Sequence, residues 1–416
     1  MNKYDLVVIG GGSAGIAAAI SAKKNGIDSI IVLEKEEQLG GILQQCIHNG
    51  FGLQTYKEEL TGPQYAQRVI DDLISNGIEY KTSSMVLSIT DDLKVTYSNG
   101  IDGYQEIQAK AIVSATGCSE RTRGNIATEG DRCSGVMTAG VAQKYINIDG
   151  YMVGRKVFIL GSGDIGLIMA RRLTLEGAKV LGVAELMPYS NGLNRNIVQC
   201  LNDYNIPLYL SHTVRKIIGK DRLEKIILSQ VDDKLNYIEG TDQEIECDTL
   251  LLSVGLIPYN PLLDKLNIKM HPRTKGPIVN ECYQTSNPAI FACGNSLHVH
   301  DIVDNVSMEG SKAGFYAAKF LKNELVNSSS IDVIASNGIG YVLPSTIDLA
   351  NVDKVNIYFR ARNPHKTCII SLKNNDNVIK TWKKTYLVPS EMEHITFDKK
   401  LIEGLDKVEL EVNDAN

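Results

Sequence analysis

Two glycine-rich segments carry the clearest chemical message in this chain. The first reads Gly10-Gly11-Gly12-Ser13-Ala14-Gly15, and the second Gly161-Ser162-Gly163-Asp164-Ile165-Gly166. In this spacing the first glycine permits a tight turn and the next lets the backbone approach a pyrophosphate. The third lets a helix pack closely on a strand. Phosphates rest at the helix start, where free N–H groups and the dipole favour negative charge. An acid follows each loop at the same distance. Glu34, with Lys35 beside it, lies 24 residues after Gly10, and Glu185 lies 24 residues after Gly161. A carboxylate there accepts hydrogen bonds from a ribose diol and repels a 2′-phosphate. Leu186 to Asn191 contains no lysine or arginine, so the second loop is expected to take NAD(H) in preference to NADP(H).

Such loops work only between a strand and a helix, and the flanking residues supply both. Tyr4–Ile9 and Ser29–Leu33 read as buried parallel strands around a helix over Ala14–Lys24. Lys156–Leu160 and Lys179–Val183 repeat that grammar around Ile165–Glu176, about 150 residues later. Further strands are expected at Ala111–Ala115, Thr249–Val254 and Ala289–Cys293, and further helices at Pro63–Asn76 and Glu309–Leu325. The alternation predicts an α/β chain with parallel sheets. The polar run Asn327-Ser328-Ser329-Ser330 marks a boundary. Beyond it, Lys354–Arg360, Thr367–Leu372, Val378–Lys384, His394–Phe397 and Lys407–Val412 alternate apolar and polar residues. Residues 331–416 therefore read as a small antiparallel β domain without a chemical motif, a docking or dimerisation module.

Composition narrows the classes. The chain has 416 residues, enough for two or three domains, and 43 basic against 49 acidic side chains. A net charge of −6 argues against a nucleic-acid binder. Eight cysteines are scattered without a C-x-x-C spacing, which excludes a zinc ribbon or an iron–sulfur cluster held by this chain alone. Reduced thiols fit a cytoplasmic location. The uncharged stretch Leu6–Ala22 is broken by a glycine cluster and makes a poor membrane span, so no transmembrane segment is expected.

Taken together, the two loops resemble the two-dinucleotide-binding flavoproteins of the pyridine nucleotide–disulfide oxidoreductase superfamily. Three further segments strengthen the resemblance: Ala115-Thr116-Gly117, Ser253-Val254-Gly255-Leu256-Ile257-Pro258, and Thr285–Ser296 followed by Glu309-Gly310 at a helix start. The resemblance implies two Rossmann-like domains. Residues 1–117 and 257–326 would bind FAD, and residues 118–256, inserted between them, would bind NAD(H). It adds Gly41, Val86 on the adenine side, Gly255, Gly294 and Asn295 to the expected cofactor contacts. Asn295 stands where the motif usually has an aspartate that accepts from the ribityl chain, and its amide oxygen can still accept.

A closer resemblance rests on Gly40–Gly52, Glu58–Pro63 and His298-Val299-His300-Asp301. These segments look like the FAD/NAD-dependent oxidoreductases associated with anaerobic glycerol-3-phosphate dehydrogenases. That implies exchange of electrons with a small-molecule acceptor, or with a dehydrogenase or iron–sulfur partner subunit. The superfamily's redox-active cysteine pair is missing, so a dithiol–disulfide reductase is not expected. The resemblance leaves four candidate catalytic residues. Cys46 could cycle through sulfenic acid as in NADH oxidases and peroxidases, and His48 could lower its pKa. His298 and His300 follow the FAD motif and could orient an acceptor or move protons. A metal set drawn from these four is conceivable, but alternation alone does not specify its geometry, and no metal is assigned. A flavin-binding interaction module with structural FAD is the remaining alternative.

Overall fold

The computed structural model describes residues 2–326 and 328–415, so Asn327 in the expected boundary run lies outside the described residues. The chain divides into two units. One comprises residues 1–44, 49–118 and 258–416, and the other residues 45–48 and 119–257. Helices α1 (Ser13–Lys24), α2 (Gly62–Ser75), α3 (Ala139–Asn147), α4 (Asp164–Leu175) and α5 (Val303–Leu321) accompany their sheets.

In the first unit, Glu79–Lys81, Ile30–Leu33, Asn2–Ile9 and Gly103–Ser114 form a parallel sheet in that order. The strand Gly103–Ser114 is shared. Its first half pairs antiparallel with Lys94–Asn99 and its last residues pair parallel with Ile290–Ala292. Asn2–Ile9 is apolar from Leu6 onward because both faces of that stretch are covered, and Leu6, Val7 and Val8 are fully buried. The antiparallel extension, with Met85–Ile89 at its edge, departs from the alternating α/β pattern. Helix α2 starts with a capping box between Thr61 and Gln64, and Pro63 occupies its first turn.

Helix α5 begins at Val303, six residues before the expected start at Glu309. Its opening residues Asp304, Asn305 and Ser307 look like a loop, but Val303, Val306, Gly310, Ala313 and Ala317 keep one helical face small and apolar. That face meets α1 closely. A Cβ on Gly310 would lie 2.2 Å from the Ala14 carbonyl oxygen, and one on Gly314 would lie 2.0 Å from that of Ala18. Gly310 is therefore explained by helix packing, not by a place at a helix start.

The second unit has a five-stranded all-parallel sheet in the order Val136–Thr138, Thr249–Leu252, Lys156–Leu160, Lys179–Glu185, Leu208–Leu210. A four-stranded sheet containing the hairpin His212–Gly219 and Leu223–Gln230 completes it.

The C-terminal β region belongs to the first unit and holds two sheets. The apolar positions of its alternating strands form one core, in which Val333, Ile357, Phe359, Ile370, Leu372, Phe397, Val408 and Leu410 pack together from both sheets. The expectation of a purely antiparallel domain needs one correction. Ser330–Ala335 pairs parallel with Lys407–Asp414, which ties the start of the region to its end.

Candidate dinucleotide and histidine site

The two glycine loops have nearly the same geometry. Gly10 has φ +107° and Gly161 has φ +102°, in the region that disfavours side chains. A Cβ on Gly10 would sit 2.3 Å from the Ala115 carbonyl oxygen, and one on Gly161 would sit 2.1 Å from that of Ser253. Each glycine thus lets its loop cross the end of the neighbouring strand. A Cβ on Gly15 would lie 1.9 Å from the Gly10 oxygen, and one on Gly166 would lie 2.5 Å from the Gly161 oxygen. These four glycines answer to the protein's own packing.

The middle glycines do not. Gly12 (φ −79°) and Gly163 (φ −65°) have backbone angles that any residue adopts. Among the described residues, nothing lies within 4 Å of a Cβ on Gly12, and only the Ser253 hydroxyl, at 3.9 Å, approaches one on Gly163. Both are N-caps, of α1 and α4, and neither helix start is capped by a side chain. Ser13 and Ala14 are buried at the first turn of α1. What the glycines keep clear is a cradle in front of open helix N–H groups, the arrangement that fits a pyrophosphate.

The acids close each loop from behind. Glu34 is buried, accepting from the Gly11 N–H at 2.7 Å and the Glu36 N–H at 2.8 Å. Glu185 is buried too, accepting from the Ser162 N–H at 3.0 Å, its hydroxyl at 2.6 Å and the Met187 N–H at 3.0 Å. Each carboxylate keeps lone pairs that these loop contacts do not use. Asp164 turns away from its helix start and accepts from the Leu193 N–H and the Asn196 amide. Ile165 is half-buried beside it. Lys35 is exposed and pairs with Glu36, and the side chain of Val86 is buried in the core with Val7 and Ile31.

The other expected segments adjoin the loops. Thr116 donates to the Tyr259 carbonyl, and Gly117 (φ +73°) accepts from the Tyr259 N–H. Ala115 takes the Gly10 approach, and Gly41 packs on Gly12, with a built Cβ 3.2 Å from its Cα. In the second unit Gly255 (φ +101°) accepts from the Arg121 N–H. Asn295 is engaged within the protein. Its oxygen accepts from the His300 N–H at 3.0 Å and its amide faces the Cys118 sulfur at 3.6 Å, so one lone pair remains for a ribityl hydroxyl.

The four candidate catalytic residues are divided between the units. Cys46 and His48 fall in the second, and His298 and His300 in the first. Cys46 is half-buried, with its sulfur 3.9 Å from the Gln143 amide oxygen, and desolvation pushes its thiol up to about 12. This runs against the expected lowering, because burial penalises the thiolate.

His298 and His300 converge on a residue that the motif had assigned to the cofactor. The His298 Nε2 lies 2.9 Å from Glu309 Oε2, and the His300 Nε2 lies 3.1 Å from Oε1. Oε1 also accepts from the Gly294 N–H at 2.6 Å. Side-chain exposure is only 1% for His298, 2% for His300 and 4% for Glu309. Burial holds the His298 imidazole below its ordinary pKa despite the attraction of Glu309. Burial works to raise the Glu309 carboxyl, but His300 and His298 outweigh it and keep Glu309 ionised.

Sequence reading missed the residues that hold this cluster. Tyr341 and Arg360 come from the β region, far along the chain. The Tyr341 hydroxyl lies 3.1 Å from His298 Nδ1, and Arg360 Nε donates to that hydroxyl at 3.3 Å. Arg360 also donates to the Val299 carbonyl at 3.0 Å and to Asp301, which in turn accepts from the Met392 N–H at 2.6 Å. An arginine next to the buried run Ile357–Phe359 of the strand Lys354–Ala361 was the one available signal.

Comparison with known proteins agrees with this geometry. Dihydrolipoyl dehydrogenase of Caenorhabditis elegans mitochondria is 27% identical over 337 residues, covering 74% of this chain and 66% of the relative. The A subunit of opine oxidase from Agrobacterium tumefaciens is 25% identical over 352 residues, covering 79% and 68%. The matches thus span about two thirds of these relatives' length. Thioredoxin reductase of T. acidophilum shares the fold, with a TM-score of 0.62 at 22% identity over 77% of this chain and 99% of that one. No helix among the described residues is long and apolar enough to cross a membrane. Residues 4–310, which include both glycine loops, match the family described as pyridine nucleotide-disulphide oxidoreductase, and the chain belongs to that family.

Proposed function

We propose that this protein is an FAD-dependent oxidoreductase that exchanges a hydride with NAD(H) and passes electrons to an acceptor or a partner subunit. The observation that carries the reading is the pair Gly12 and Gly163. Neither needs to be glycine for backbone angle or protein packing, so each keeps space for a ligand. FAD at the first loop would supply the hydride-accepting ring and NAD(H) at the second the hydride. The protein's part is to seat the pyrophosphates on the starts of α1 and α4 and to hold each ribose through Glu34 and Glu185.

Glu185, followed by Leu186–Asn191 without a basic residue, supports NAD(H) over NADP(H). The electrons' exit is argued from the thiols. All eight cysteines are free, none stands in a C-x-x-C, and the Cys46 thiol is raised, so a dithiol–disulfide cycle has no evident carrier. Among the relatives are the opine oxidase A subunit and the HcnB subunit of hydrogen cyanide synthase, both named as parts of larger enzymes, which supports a partner. The His298-Val299-His300-Asp301 segment supports the affinity to glycerol-3-phosphate dehydrogenase-associated flavoproteins. Anaerobic titration of the purified protein tests the reading. NADH should bleach a bound flavin at lower concentration than NADPH does. A flavin that neither nucleotide reduces would reject the hydride reading and leave FAD as a structural group.

A further inference from the structure

His298, His300 and Glu309 offer two imidazole nitrogens and a carboxylate oxygen, all within 4.8 Å of one another. We propose that these three side chains form a binding site for one first-row divalent metal ion, Zn2+ or Fe2+. Two histidines and one carboxylate, with positions left open, are a donor set used for both ions.

The hydrogen-bonding alternative leaves a polar atom stranded. If both rings are neutral and donate from Nε2 to Glu309, His298 Nδ1 can accept from the Tyr341 hydroxyl. Among the described residues His300 Nδ1 then has no partner, although its side chain is only 2% exposed. Moving the His300 proton to Nδ1 turns the Nε2 lone pair towards the carboxylate at 3.1 Å, which is repulsive. A cation among the three donors removes that repulsion. With the ion on Nε2, the His300 Nδ1–H points away from it and is left to donate to a group outside the three ligands.

The ligands are held as a metal site needs. His298 and His300 alternate along one segment, so both rings face the same way, with centroids 4.3 Å apart. Arg360 fixes that segment through the Val299 carbonyl and Asp301, and Glu309 sits within α5 with one oxygen on the Gly294 N–H. Tyr341 meets the outward nitrogen of His298, the kind of partner that orients a ligating imidazole. The ion would bind and polarise an oxygen of the electron donor or acceptor. This role, unlike the metal site itself, rests on the proposed oxidoreductase reading.

The test uses the full-length protein. Chelator-treated protein is titrated with Co2+, then with Zn2+, and metal content is measured by mass spectrometry beside flavin content. The expected result is about one ion per chain, with Co2+ ligand-field bands that Zn2+ abolishes. His298→Ala and His300→Ala should each lower occupancy at least tenfold. Wild-type protein that takes up neither ion overturns the proposal, and this outcome does not depend on any variant folding. Folded variants that keep full occupancy overturn it as well. Metal-loaded protein without reducible flavin would support the site while rejecting the oxidoreductase reading, so the two failures are distinguishable.

Discussion

The two glycine loops share backbone angles and closing acids, yet they differ in how the protein surrounds them. In the first, position 11 must be small, because a Cβ on Gly11 would meet the Leu39 side chain at 2.5 Å. The Gly40 N–H then bonds to the Gly11 carbonyl, and α5 lies on α1 through Gly310 and Gly314. In the second, position 162 carries a serine whose hydroxyl donates to Glu185 and accepts from the Asn191 N–H. One loop is enclosed by backbone and a second helix, and the other is closed by exchangeable side-chain hydrogen bonds. The difference fits a resident cofactor at the first and a nucleotide that comes and goes at the second.

The largest expected effects probe the helix-packing glycines. Gly15→Ala puts a methyl group 1.9 Å from a backbone oxygen that cannot yield without moving the loop. It should cost at least about 1–3 kcal/mol and strip the protein of flavin, read from the melting temperature and the visible spectrum. Gly166→Ala, with 2.5 Å at the same place, should keep the flavin and lose its reduction by NADH. Equal flavin loss in both would erase the distinction between the loops.

A smaller effect is expected at the second acid. Glu185→Gln keeps the shape but loses the charge. NADH affinity should fall about tenfold, near 1.4 kcal/mol, with the preference over NADPH narrowed and flavin content unchanged. Titration with each nucleotide reads this directly.

The smallest belongs to Cys46. Cys46→Ser should leave flavin reduction by NADH within a factor of about two, about 0.4 kcal/mol, because the sulfur makes only a long contact, 3.9 Å, to the Gln143 amide oxygen. The wild-type thiol gives a pH test. With its pKa raised to about 12, the thiolate fraction is low at neutrality, and alkylation of Cys46 should keep accelerating through pH 10 without a plateau. A plateau near pH 8 would restore the peroxidase reading.

Both loops were legible because their function is local. A strand, three glycines, a helix and an acid lie within about 30 residues, and the geometry follows from that spacing. The start of α5 was not legible, since its first turn is polar and its apolar face is made of small residues read only against α1. The partners of the histidines were also hidden. Nothing near Tyr341 or Arg360 in sequence marks them as neighbours of His298, because the β region reaches that loop through tertiary packing. Glu309 was found by motif but for a different role, as spacing gave no sign that two imidazoles would meet it.

The central claim is that Gly12 and Gly163 are glycine for the sake of two different ligands. Gly12→Ala and Gly163→Ala should each leave the stability of the ligand-free protein unchanged or raised by about 0.4–1 kcal/mol, since both backbones accept alanine. The decisive measurement is flavin content, followed by anaerobic NADH titration, on this pair. The account predicts that Gly12→Ala loses flavin, whereas Gly163→Ala retains it and needs at least tenfold more NADH to bleach it. Full flavin and unchanged NADH response in both variants would contradict it.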